Sequence, residues 1–242
     1  MDLSFWTKLN PNIVYEPTRK IFFDKYLCRL VINCPAGRLI NAKTDNIESD
    51  LRIRFEYAKN RNWGGSWESL NSHAIANADA EQISNIKSIK SAYSDEIKFR
   101  IEEPKIQIYT DSEDMLKVVA CAILPNFQTS IDAVQFPESD DQAKLMLEGK
   151  IITKATTKIE YKYKVTLRDG EYDSETRNSI LQYLTNLGDE VKVSEQTLLK
   201  LRSYHYLWSA FLYVNDPSVL TFLSVIQPGI IGKIHELVKV AE

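Results

Sequence analysis

Alternating apolar and polar positions recur in the first half of the chain and are separated by helical spacings. Residues 26–34 are rich in β-branched and aromatic side chains and stop at Pro35, which predicts a strand followed by a turn. Ile83, Ile86 and Ile89 recur at every third position, which predicts one face of a helix. The same reasoning predicts strands over residues 26–34, 97–101, 106–110 and 131–136, and helices over residues 49–60, 79–92 and 113–124.

The second half repeats this alternation of strands and helices. Residues 161–167 alternate strictly, which predicts a strand, and a stripe that includes Ile180 and Leu184 follows Ser174, which predicts a helix capped by that serine. Pro217 suits the first turn of another helix. Strands are also predicted over residues 191–193, 207–214 and 234–240, and a helical turn over residues 198–202.

The two halves resemble each other around two tyrosines. Ile108-Tyr109-Thr110-Asp111 aligns without a gap with Leu212-Tyr213-Val214-Asn215, and an apolar helical stripe follows each segment. Each half then has the order β-α-β-β-α-β, which is the split βαβ or ferredoxin-like unit. The predicted fold class is α+β, with two ferredoxin-like units from an internal duplication, antiparallel sheets and helices on one face. A chance match between two short strand-and-helix segments is the alternative.

This interpretation divides the chain into four segments. They are an N-terminal arm over residues 1–19, a first lobe over residues 20–137, an acidic linker over residues 138–149 and a second lobe over residues 150–242. The first lobe contains an inserted loop, Trp63-Gly64-Gly65-Ser66-Trp67, because paired glycines disfavour both helix and strand.

Composition and charge exclude several classes of protein. Hydrophobic residues make up 44% of the chain and charged residues 26%, which is typical of a globular protein, and the net charge of -3 provides no overall attraction to nucleic acid. Cys28, Cys34 and Cys121 are odd in number and form no CxxC pair, so we expect free thiols in a reducing compartment. The sequence shows neither a secretion signal nor an apolar stretch of membrane-spanning length, so we expect a cytoplasmic protein without a membrane partner.

Signatures of catalysis are weak in this sequence. The chain has neither the phosphate-binding GxxxxGK[ST] motif nor the GxSxG motif of serine hydrolases, and His73, His205 and His235 are isolated from one another. Asp111, Glu113 and Asp114 are better explained by the acidic first turn of a helix than by a metal site. We therefore predict no catalytic residues, no metal, no cofactor and no small-molecule substrate, with metal-assisted cleavage of nucleic acid as the most plausible exception.

One patterned surface remains. Side chains alternate across a strand, so each predicted sheet has an open face opposite its helices, and that face collects basic and aromatic residues. Proteins that bind single-stranded nucleic acid, RNA more than DNA, typically stack its bases on aromatic side chains such as tyrosine and hold its phosphates with cationic side chains. Lys192 and Phe211 share this predicted face. The candidate contact residues are Arg29, Lys98, Arg100, Lys105, Tyr109, Lys162, Lys164, Arg168 and Tyr213.

Protein assembly is the alternative function. The same open faces could pack against neighbouring subunits, as a homo-oligomer or a larger assembly, with aromatic residues as anchors. Outward lysines that only keep a sheet soluble would explain the basic pattern without any partner. The candidate interface residues are Phe5, Trp6, Trp63, Trp67 and Phe211.

Overall fold

Two mixed β-sheets, each of five strands, organise the part of the chain that the computed structural model describes. The described residues are 3–43, 46–60, 79–102, 104–154 and 160–240. The chain divides into unit 1, Met1–Ala143, and unit 2, Lys144–Glu242, and each unit contains one of these sheets. Mixed sheets with helices bear out the α+β prediction.

Unit 1 begins with a helix and a short strand that precede the predicted elements. Its core packs the inward residues of the sheet, such as Leu30 and Ile108, against Ile86 and Leu116 on two helices. In chain order its elements are α1 (Leu3–Leu9), β1 (Val14–Pro17), β2 (Cys28–Asn33), α2 (Ile47–Asn60), α3 (Ala80–Ala92), β3 (Lys98–Glu102), β4 (Lys105–Thr110), α4 (Glu113–Ala122), β5 (Ile131–Phe136) and α5 (Asp140–Leu147), in which the division between the units falls.

Unit 2 also contributes five strands to one large sheet, with two short additional strands and with helices at partly different places in the chain order. Its core packs Val165 and Leu212 of the sheet against Ile180 and Leu223 on two helices. In chain order its elements are β6 (Ile151–Lys154), β7 (Tyr163–Leu167), β8 (Gly170–Glu171), α6 (Ser174–Asn186), β9 (Val191–Val193), α7 (Glu195–Ser203), β10 (Tyr206–Leu207), β11 (Phe211–Val214), α8 (Thr221–Ile226) and β12 (Ile231–Val240).

The two large sheets share one strand order. The order is β1-β5-β2-β4-β3 in unit 1 and β6-β12-β7-β11-β9 in unit 2. In each sheet the first strand of that order pairs parallel to the second, and the remaining pairs are antiparallel. Residues such as Leu30 and Val165 belong to the hydrophobic core of their unit, and we call the face of each sheet opposite to these side chains its open face.

Side-chain caps fix where the helices begin. The Ser112 hydroxyl accepts a hydrogen bond from the backbone N–H of Met115 and caps α4. The cap of α6 is Asp173 and not the predicted Ser174, because the Asp173 carboxylate accepts hydrogen bonds from the Thr176 backbone at 2.7 Å and from the Thr176 hydroxyl at 3.0 Å. A carboxylate at this position satisfies orphan N–H groups and also suits the positive end of the helix dipole.

The N-terminal segment differs from the predicted arm. Trp6 on α1 is 0% exposed and lies in the core of unit 1, with Phe5 packed beside it. The Asn10 amide donates a hydrogen bond to the Ile131 carbonyl at 2.8 Å, and β1 continues the sheet by pairing with β5. Residues 3–18 are therefore part of unit 1, because burying a tryptophan and extending a sheet stabilise them there.

The predicted acidic linker also differs from the structure. Asp140 and Asp141 open helix α5, where carboxylates in the first turn favour the helix dipole. β6 follows this helix at once and pairs with β12. These two acidic residues, which were predicted to lie in a linker between the lobes, therefore form the first turn of helix α5.

Candidate functional site

A row of cations flanks a tyrosine on the open face of unit 2. Tyr213 on β11 is paired in register with Lys192 on β9 and with Lys164 on β7. Lys164 is paired in turn with His235 on β12. Because facing residues of adjacent strands project to the same side of a sheet, these four side chains form one line across four strands. We call Lys192, Tyr213, Lys164 and His235 the unit 2 row; it contains no acidic residue.

Phe211 extends the row along β11. Its ring meets the Tyr213 ring edge to face, with centroids 5.6 Å apart, and the Lys164 ammonium lies 4.0 Å from the Phe211 ring centroid. Both aromatic side chains are half-buried, and Lys192 is exposed. Partial burial raises the pKa of the Tyr213 phenol, which therefore stays neutral at physiological pH. The row thus presents two adjacent rings and flanking cations.

His235 ends the row with a defined proton position. Its Nδ1 lies 2.7 Å from the Gly149 carbonyl oxygen. A carbonyl only accepts, so Nδ1 carries the proton and the neutral ring has Nε2 as its acceptor. Sequence reasoning assigned His235 no role, because only the pairing of β12 with β7 brings it beside Lys164.

Unit 1 contains the same arrangement around Tyr109. Tyr109 on β4 is paired in register with Arg29 on β2 and with Lys98 on β3. Arg29 is paired with Gln135 on β5, at the position that His235 occupies in the other sheet. We call Lys98, Tyr109, Arg29 and Gln135 the unit 1 row. The cation–tyrosine–cation order is the same in both units.

The unit 1 row is covered by a turn of its own chain. Phe22 and Phe23 place their ring centroids 5.1 and 4.9 Å from the Tyr109 ring centroid. The flanking cations meet the same two rings, with Arg29 5.4 Å from the Phe22 centroid and Lys98 4.0 Å from the Phe23 centroid. Tyr109 is only 2% exposed as a result. The expected stacking of a base on Tyr109 is not compatible with this closed conformation.

Several polar side chains of the unit 1 open face already have acidic or amide partners within the chain. Arg100 forms an ion pair with Glu102, and Lys105 pairs with Asp132 at 3.3 Å. The Gln107 side chain accepts hydrogen bonds from Arg29 at 3.0 Å and from the Tyr109 hydroxyl. Two candidate phosphate contacts, Arg100 and Lys105, therefore already have carboxylate partners.

The remaining candidates are dispersed. Lys162 and Arg168 flank the two ends of β7 and are exposed, and the Arg168 guanidinium lies against Gly229. Trp63 and Trp67 fall outside the described residues. Of the interface candidates that are described, Trp6 is buried and Phe5 packs on the core, so Phe211 alone of these three lies on an open face.

Neither a metal-binding cluster among the described residues nor a known relative indicates a function for the chain. Within the ranges that the structure describes, no three His, Cys, Asp or Glu side chains come together as a metal site. Within the same ranges, every helix is too short or too polar to cross a bilayer. No family model matches the chain, and no curated protein matches it at a significant level.

Proposed function

We propose that the open face of unit 2 binds single-stranded nucleic acid, RNA in preference to DNA and without strong sequence choice, and that the protein is a binding protein. The observation that carries this proposal is the unit 2 row, in which Lys192 and Lys164 flank Tyr213 on adjacent strands. Neighbouring strands lie about 4.8 Å apart, so the strands that carry the two cations flank the tyrosine strand at this spacing on either side.

In this proposal, different residues stack on the bases and neutralise the phosphates. A base stacks on Tyr213 or Phe211, because every base has a flat π-face, and such contacts are worth about 1–3 kcal/mol per base. Lys164 and Lys192 neutralise phosphates and release counterions. Open sheets that present aromatic residues are a recurrent RNA-binding surface, which is why RNA is placed ahead of DNA.

Unit 1 supports the choice of a flat ligand. Its row has the same cation–tyrosine–cation order, and two phenylalanine rings of the chain fill it. The arrangement therefore accepts planar rings between its cations, which is the property that a nucleobase site requires.

We infer that the two units are copies of one ferredoxin-like unit and arose by internal duplication. Without the extra parallel strand at the edge, the strands of each sheet follow the order fourth, first, third, second, as a split β-α-β-β-α-β unit does. The matching positions of Tyr109 and Tyr213 on the third of these strands support the inference. Duplication explains why the row occurs once in each unit.

A filter-binding titration tests the proposal. Labelled single strands of RNA and DNA, and an RNA duplex as control, are titrated with the full chain at low salt. We expect the single strands to bind, Tyr213→Ala to weaken binding about 5- to 150-fold, and Tyr213→Phe, which keeps the ring, to bind like the wild type. Absence of binding at low salt, or an alanine variant as tight as the wild type, would overturn the proposal.

Protein assembly remains the second candidate because of a separate aromatic cluster in unit 2. Tyr204, Tyr206 and Trp208 are 46%, 42% and 40% exposed, and Tyr204 and Trp208 pack edge to face with centroids 5.3 Å apart. Exposed aromatic clusters are enriched at protein interfaces. Sedimentation of the chain at several concentrations tests this candidate, and a strict monomer at high concentration contradicts self-association.

A further inference from the structure

We infer that unit 1 contains a second nucleobase site, which the chain closes with its own turn over residues 22–26. This inference rests on the proposed function of the unit 2 row. It goes beyond that proposal because it assigns a nucleic-acid site to a surface that is closed in the structure, and because it identifies the intramolecular competitor that closes it.

The closing turn takes the place of a ligand in two respects. Its two phenylalanine rings contact the Tyr109 ring, one tilted and one edge-on, and so occupy the space above it that a base would need. Its two rings lie under the cations, Arg29 over Phe22 and Lys98 over Phe23. The Phe23 side chain is nevertheless 44% exposed, so its ring lies at the surface and covers the row from outside.

The backbone of the turn is strained. Phe22 and Tyr26 exchange hydrogen bonds of 2.8 and 2.9 Å, and Lys25 donates to the Phe22 carbonyl at 3.0 Å. The two central residues, Phe23 and Asp24, have φ angles of 51° and 60°, in the left-handed region that a phenylalanine rarely adopts. The ring contacts therefore hold the turn against its own backbone preference, and this strain favours its displacement.

A polar donor beneath the turn is left without a partner. The Nε atom of Arg29 is buried and makes no hydrogen bond among the described residues, although the same guanidinium donates from Nη1 to Gln107 at 3.0 Å. A buried unsatisfied N–H is costly, and a phosphate or a base acceptor would satisfy it. In unit 2, Lys164 stands at the equivalent place beside Tyr213.

The test removes the turn's rings while the unit 2 row is disabled. In a Tyr213→Ala background, we expect Phe22→Ser with Phe23→Gly to raise the affinity for a labelled RNA strand about 12 nucleotides long by at least about tenfold. The further change Tyr109→Ala should cancel the gain. A labelled DNA strand of equal length shows whether the second site shares the preference for RNA.

Two single variants show whether the effect of the double variant arises from misfolding. Phe23→Gly alone removes an exposed ring and suits the positive φ, so it keeps the fold, and we expect it to raise RNA affinity at least about threefold in the same background. Asp24→Gly is the matched control, because it relieves the same turn without removing a ring, and it should not reproduce the gain in affinity of Phe23→Gly.

The outcomes separate the two proposals. RNA binding by the wild type with no gain in either ring-removing variant overturns the closed site and leaves the unit 2 site standing. A wild type that fails to bind, with a Phe22→Ser and Phe23→Gly variant that binds through Tyr109, overturns the unit 2 site alone. Failure of both proteins to bind RNA at low salt overturns both.

Discussion

Tyr109 and Tyr213 hold the same register position in two sheets of the same strand order, yet Tyr109 is buried under a turn and Tyr213 is half-exposed. Each tyrosine lies on the fourth strand, in chain order, of its five-stranded sheet and faces a cation on both neighbouring strands. The cations are Arg29 and Lys98 beside Tyr109, and Lys164 and Lys192 beside Tyr213. One motif is thus closed in unit 1 and accessible in unit 2, and the predictions below use this difference.

The salt dependence of binding should depend on the unit 2 row. Replacing Lys164 and Lys192 together by glutamine removes two phosphate contacts, so we expect the slope of log affinity against log salt to become shallower by about 1.4. Lys105→Gln in unit 1 is the control, because this lysine pairs with Asp132 at 3.3 Å and should not contact phosphate. Filter binding from low to moderate salt measures the slopes, and equal slopes for all three proteins would contradict the assignment.

Thr197 should support the site from the core side of the sheet. Its buried hydroxyl accepts from the Phe211 backbone N–H and donates to the Phe211 carbonyl, both at 3.0 Å. Thr197→Val leaves both backbone groups without this partner, so we expect the free energy of unfolding to fall by about 2–3 kcal/mol in a urea titration.

We attribute this expected loss of stability to the hydroxyl group of Thr197 and not to its methyl group. Thr197→Ser keeps the hydroxyl and removes one methyl group, so it should cost about 1 kcal/mol or less. A serine variant as unstable as the valine variant would show that packing of the methyl group, and not the hydrogen bonds to Phe211, makes this position important.

Local patterns in the sequence were enough to predict both tyrosine strands. Alternation places Tyr109 and the outward residues of β3 on one face. Ser112 marks the start of α4 after β4, and Pro217 marks the start of the 3-10 turn that leads from β11 into α8. The lysines and arginines of the rows were predicted for the same reason. The covering of Tyr109 by Phe22 and Phe23 was not predicted, because these contacts join segments far apart in the chain and no local period encodes them.

The edge strands were missed for a related reason. β1 and β6 have four residues each and are stabilised by parallel pairing with the last strand of their unit. A segment of four residues is too short for a period to be recognised, and the partner strand follows much later in the chain. The burial of Trp6 likewise depends on the assembled core of unit 1.

Asp173 should make the stability of unit 2 depend on pH. Hydrogen bonds from the backbone and hydroxyl of Thr176 lower the pKa of the Asp173 carboxyl below its ordinary value of 3.8. A group with a lowered folded-state pKa stabilises the fold above its unfolded pKa and loses that contribution as the pH falls through the folded value. Asp173→Ala should therefore be more damaging at neutral pH than at about pH 3, as measured by urea unfolding. Asp173→Asn, which still caps α6 but does not titrate, should remove the part of the pH dependence that Asp173 contributes.

The exposed aromatic cluster should separate assembly from RNA binding. Trp208 lies 4.5 Å from the ammonium of Lys200, which also donates to its carbonyl at 2.5 Å, so its ring is held in place while 40% of the residue stays exposed. A held tryptophan at a surface loses little side-chain entropy on contact with a partner and is typical of an interface hot spot, worth about 2 kcal/mol or more. We expect Trp208→Ser to weaken self-association in sedimentation experiments at least about 30-fold and to leave RNA affinity unchanged.

Phe222→Ser, a change at another exposed aromatic position of unit 2, is the control and should leave both properties intact. Loss of RNA binding in the Trp208 variant would mean that the nucleic acid extends from the unit 2 row onto this cluster, whereas equal effects of the two serine variants would remove the cluster as a specific interface.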